Sequence, residues 1–96
     1  MQRILKYELK PKSNNFNFSV GSRILSVGVD GLYGRLSMWV AVNTDEDAVC
    51  TRRSIYLYST GEDTGEDTLK TFLGTIIDNT QENTKIWHAY LIGETK

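Results

Sequence analysis

Between positions 35 and 43 the chain reads Arg-Leu-Ser-Met-Trp-Val-Ala-Val-Asn. In an extended strand this puts Leu36, Met38, Val40 and Val42 on one face and Trp39 and Ala41 on the other. A strand that is apolar on both sides belongs in the middle of a sheet rather than at its rim. The same period of two returns in shorter runs along the chain. Leu5, Tyr7 and Leu9 share a face before Pro11, which lacks the amide hydrogen that a ladder needs. Phe16, Phe18 and Val20 alternate with Asn17 and Ser19; Leu25, Val27 and Val29 follow; and within 52–59, Ile55 and Leu57 oppose Tyr56 and Tyr58. Runs 69–77 and 85–92 read as the last two strands. Turn formers separate these runs at 13–15, 21–22, 43–47 and 78–83, and Asp30-Gly31 with Gly34 predicts a hairpin into the central strand.

About seven short strands in 96 residues predict an all-β fold, a small antiparallel sandwich or partly open barrel. One segment carries a second pattern: Leu69, Phe72, Leu73 and Ile76 also match a helical stripe, with Asp67 or Thr68 as its N-cap. A short helix near 66–73 would make the fold α+β, whereas Gly74 and the β-branched residues around it favour a strand. The length suits one domain over 1–96 with a single modest core.

Charge and cysteine content narrow the function. Eleven Lys and Arg against twelve Asp and Glu give a net charge of -1, which argues against non-specific binding of nucleic acid or of an anionic membrane. Cys50 is the only cysteine, so no intrachain disulfide and no four-thiolate metal site can form; this suits a reducing cytoplasm. Residues 1–9 alternate charged and apolar side chains, without the apolar core of a secretion signal, and no window approaches a membrane span.

Few residues point to chemistry. The stretch Thr-Gly-Glu-Asp-Thr-Gly-Glu-Asp-Thr at 60–68 offers Glu62, Asp63, Glu66 and Asp67, but lacks the ligand spacing of a calcium loop, so it reads as a solvated acidic hairpin and no metal is expected. His88 is the only histidine, on the strand face of Ile86, Tyr90 and Ile92, and suits a hydrogen-bonded structural role better than acid/base work. Neither a nucleophile elbow nor a phosphate-binding glycine loop is present, so no enzyme and no cofactor are expected. The strongest candidate for binding is Arg52-Arg53 leading into Tyr56 and Tyr58, because guanidinium groups beside aromatic faces suit stacking and phosphate recognition. Arg53 has the parity of inward Ile55 and Leu57, so it needs an acceptor if half-buried.

The order of short motifs along the chain adds a resemblance. Ile4-Leu5-Lys6-Tyr7-Glu8-Leu9, Ile24-Leu25-Ser26-Val27, Leu36-Ser37-Met38-Trp39-Val40, Ser59-Thr60-Gly61, Gly74-Thr75 and Ile86-Trp87-His88-Ala89-Tyr90 together resemble a family of small bacteriophage and prophage proteins classed as a domain of unknown function. That family carries a K-Y-x-L, I-L-S-V, L-W-x-x-V, G-T-G and W-H-V-F pattern. The chain departs from it with Ser59 in place of Gly, Glu62 in place of His and Ala89-Tyr90 in place of Val-Phe. The resemblance implies a phage product in the cytoplasm of an infected bacterium and implies no activity.

The expectation is therefore a non-enzymatic binding protein. It would assemble as a homo-oligomer and inhibit a host defence protein or sequester a nucleotide signal, with Arg52, Arg53, Tyr56, Tyr58 and His88 as the candidate contact residues. The alternative is a phage structural module or a single-stranded nucleic-acid binder using stacked aromatics.

Overall fold

The computed structural model describes residues 1–64, 70–79 and 82–92. They form seven strands and no helix: β1 (Gln2–Glu8), β2 (Lys12–Ser19), β3 (Arg23–Val29), β4 (Leu36–Asn43), β5 (Cys50–Ser59), β6 (Lys70–Asp78) and β7 (Lys85–Ile92). Every pairing is antiparallel. A three-stranded sheet has the order β1-β4-β3 and a four-stranded sheet the order β2-β5-β7-β6; the two stack as an open sandwich. The all-β expectation holds, and 70–73 belongs to β6 rather than to a helix; 66–69 lies outside the described residues. No described helix is long and apolar enough to cross a membrane.

The central position of β4 follows from its two apolar faces. Met38 and Val40 are fully buried between the sheets, and Ser37 and Ala41 on the opposite face are buried too. The four-stranded sheet contributes Ile55, Leu57, Ile76, Ala89 and Leu91 to the same core. Tyr7, Phe16 and Phe18 meet at the side where β1 and β2 diverge, with ring centroids 5.1–5.6 Å apart. On the other side β3 lies beside β6 without a ladder between them, close enough for Val27 to lie over Gly74.

Three sequence-based placements change. First, 13–15 is strand, not turn. The Asn14 side chain accepts from Lys10 N (2.8 Å) and donates to Lys10 O (2.9 Å) and Ile55 O (3.2 Å). This buried amide ties the β1–β2 connection to β5, and the turn falls earlier in the chain, ending where Lys12 adopts φ 76°. Second, the β3–β4 register shifts between Ile24 and Ser26. That bulge carries Leu25 out to 44% exposure while Ile24, Val27 and Val29 pack on the core. Third, β5 and β6 do not pair as a hairpin, because β7 lies between them; of the acidic stretch at 60–68, 65–68 lies outside the described residues.

Ion pairs fasten the end of the sandwich where the β3–β4 hairpin, the β1–β2 connection and the end of β5 lie. Asp30 closes the β3–β4 hairpin. Its carboxylate takes the Lys6 ammonium and the Leu32 amide, and its carbonyl accepts from Gly34 N at 2.6 Å, with Gly34 at φ 68°. Glu62 accepts from Lys12 Nζ (2.9 Å), Ser59 N (3.1 Å) and Ser59 Oγ (3.3 Å). The Lys6 hydrogen bond lowers the Asp30 pKa, the Lys12 hydrogen bond lowers that of Glu62, and the Glu62 hydrogen bond raises that of Lys12.

The signs set a pH profile. Depressed carboxylate pKa values stabilise the fold above the unfolded-state values and cease to do so as pH falls through the folded ones. The raised Lys12 value stabilises below its ordinary 10.5 and loses that effect as pH rises through its folded value. Melting temperature should thus be flat from about pH 5 to about pH 9 and fall below about pH 4. Glu62→Gln should shrink the acid-side drop; an unchanged drop would show that Glu62 carries none of it.

Candidate ligand-binding face

Residues directly opposite in an antiparallel ladder share a face, so the pairing fixes what the four-stranded sheet turns away from the core. One row runs Ser13, Tyr56, Tyr90, Phe72; the next includes Tyr58, His88 and Thr75; a third runs Asn15, Ser54, Ile92, Lys70. The rings form a continuous chain: Tyr56 to Tyr58 at 4.4 Å, Tyr58 to Tyr90 edge-on at 5.7 Å, and Tyr90 to Phe72 at 5.3 Å. Lys70 Nζ lies 5.9 Å from the Tyr58 ring centre and donates to Thr64 O at 2.7 Å. Tyr58 is buried among these neighbours, whereas Phe72 is 54% exposed.

His88 is held at both ring nitrogens, by Thr60 Oγ1 at Nε2 (2.9 Å) and by Thr75 Oγ1 at Nδ1 (3.3 Å). A neutral imidazole offers one donor and one acceptor, and the rotatable hydroxyls can match either tautomer. The ring is thereby held from both sides, in the row next to Tyr56 and Tyr90. Beyond it, a groove of about 460 Å³ is lined by Ser59, Thr60, Thr84, Lys85, Ile86 and Trp87. It sets hydroxyls and an ammonium at the end of a stacking surface.

The candidate residues from the sequence divide between two faces. Arg52, Tyr56, Tyr58 and His88 share the outer one by strand parity, while Arg53 lies opposite Phe16 on the core side. The five residues are therefore not one site, and Arg53 leaves the set. Tyr90, Phe72, Lys70 and Thr60 join it. Their contribution was visible in the sequence only as strand parity, because nothing there says that β7 inserts between β5 and β6 and brings Phe72 beside Tyr90.

Glu62 is committed to Lys12 and Ser59, so it serves as a fastener rather than as part of a solvated acidic turn. Glu66 and Asp67 lie outside the described residues. Among the described residues no cluster of three His, Cys, Asp or Glu side chains is placed to hold a metal.

A family model described as a domain of unknown function (DUF7352) matches residues 1–95. No curated protein and no solved structure matches the chain.

Proposed function

The chain belongs to the DUF7352 family, and from that premise we propose that it is a non-enzymatic binding protein whose outer aromatic face captures a nucleotide. The observation that carries this reading is the ring chain Tyr56–Tyr58–Tyr90–Phe72 on one open sheet face. A planar base stacks on such rings, and each stacked base contributes about 1–3 kcal/mol. Arg52 and Lys70 on the same face, with Lys85 and the threonine hydroxyls of the adjoining groove, supply donors for phosphate. The resemblance of its motif order to that of small phage and prophage proteins supports reading it as a phage product working in the bacterial cytoplasm, where it would sequester a nucleotide signal used in host defence. Its working form in this reading is a homo-oligomer.

Thermal shift and calorimetry with a panel of cyclic and linear nucleotides test the proposal. Binding should raise the melting temperature, and Phe72→Ala, at an exposed position, should weaken it roughly 10-fold or more with little change in the stability of the free protein. An unchanged melting temperature across the panel would overturn it. Co-purification of a bacterial protein in place of a nucleotide would turn the reading toward a protein inhibitor. Retardation of a labelled single-stranded oligonucleotide at low salt would turn it toward a nucleic-acid module.

A further inference from the structure

The geometry points to a second copy of this chain as the occupant of the free edge of β1, joined by a two-fold axis at Leu5 into one six-stranded sheet. Of the four sheet edges, those of β3 and β6 lie beside each other. β2 turns Phe16 and Phe18 to the core and is otherwise polar, with Ser13, Asn15, Asn17 and Ser19 on its outer face. β1 is bonded to β4 on one side only and exposes Ile4 at 64% and Leu5 at 39%. Leu5 points to the core side of its sheet, opposite Val40, so its exposure marks where the sandwich is left open.

Backbone parity shows which groups await a partner. Thr44 N donates to Met1 O and Leu9 N donates to Leu36 O, both across the β1–β4 ladder. Odd-numbered residues of β1 therefore bond to β4, and Gln2, Ile4, Lys6 and Glu8 direct their amides and carbonyls to the open edge. In a two-fold pairing, facing residues must share a sheet face, so their numbers sum to an even value. A sum of ten uses the whole strand: Leu5 meets its own copy, Arg3 meets Tyr7, Ile4 meets Lys6 and Gln2 meets Glu8.

This register sets no like charges opposite one another, places an Arg against an aromatic ring, and makes the even-numbered pairs the hydrogen-bonded ones, as the parity requires. A sum of twelve would oppose Lys6 to Lys6. Charged edge residues ordinarily discourage such pairing, but the Lys6 ammonium is drawn to Asp30 and lies 5.6 Å from the Tyr33 ring centre.

Two variants and a mass measurement test the inference, which stands apart from the nucleotide reading because β1 lies in the other sheet. Light scattering should give twice the 10.9 kDa chain mass. Ile4→Pro removes an amide that faces the open edge and leaves the β4 ladder intact, so it should yield folded monomer. In a Cys50→Ser background, Leu5→Cys should cross-link to a covalent dimer on mild oxidation, because facing residues of a non-hydrogen-bonded pair lie within disulfide reach; Ile4→Cys should not. A monomeric mass at all concentrations, or a dimer without Leu5→Cys cross-linking, would overturn it. Nucleotide binding retained by an Ile4→Pro monomer would show the two readings to be separable.

Discussion

Leu57→Ala should destabilise the protein by about 2–5 kcal/mol, the range for truncating a fully buried leucine. Leu57 has no exposed surface and sits in the middle of the four-stranded sheet, with Lys12 opposite on β2 and Ala89 opposite on β7. Neither flanking strand can close over the lost volume without pulling away from β5. In a domain of this length each kcal/mol lowers the melting temperature by about 4–8 °C, so the variant should melt tens of degrees lower or fail to fold at 37 °C. Leu57→Met preserves the volume and should cost under about 1.5 kcal/mol. Chemical denaturation of the three proteins distinguishes the cases: an alanine variant within about 0.5 kcal/mol of the parent would place Leu57 outside the core.

Gly74→Ala should have the next largest effect, and for the opposite reason. A Cβ at position 74 would stand 2.8 Å from Val27 Cγ2, where β6 bulges beside β3. The valine is β-branched and has little rotamer freedom with which to withdraw, so the added methyl must push the two sheets apart at this seam. Overpacking of this kind costs about 1–3 kcal/mol. Val27→Ala should relieve the contact, though not the backbone strain of an alanine at the φ of 158°: the double variant should be more stable than the sum of the single losses predicts, by about 0.5–3 kcal/mol. Strict additivity in a double-mutant cycle would show that the two positions do not press on each other.

These two positions also mark how far the sequence can be read. Leu57 was legible: alternation with Tyr56 and Tyr58 sets it on the apolar face of β5, and burial follows wherever that strand pairs. Gly74 was legible only as a residue that weakens a helix. Its fit under Val27 depends on two strands more than forty residues apart that share no ladder, a relation that no local pattern encodes. The third strand shows the same limit on a smaller scale, since one bulge exchanges Leu25 for Ile24 on the core side.

The candidate site divides in the same manner. That Arg52, Tyr56 and Tyr58 share a face is a matter of counting by two. That His88 joins them with both nitrogens bonded, and that Phe72 and Lys70 complete the surface, depends on β7 lying between β5 and β6.

The sequence by itself therefore determined the all-β class, the number of strands, the central place of β4 and the face that most side chains take, because a pleated backbone turns a period of two directly into sidedness. Tertiary structure alone decided which strands are neighbours, which edge stays open at Leu5 and which rings meet. Those relations are set by long-range pairing and by bulges, where a shift of one residue moves every later side chain to the other face.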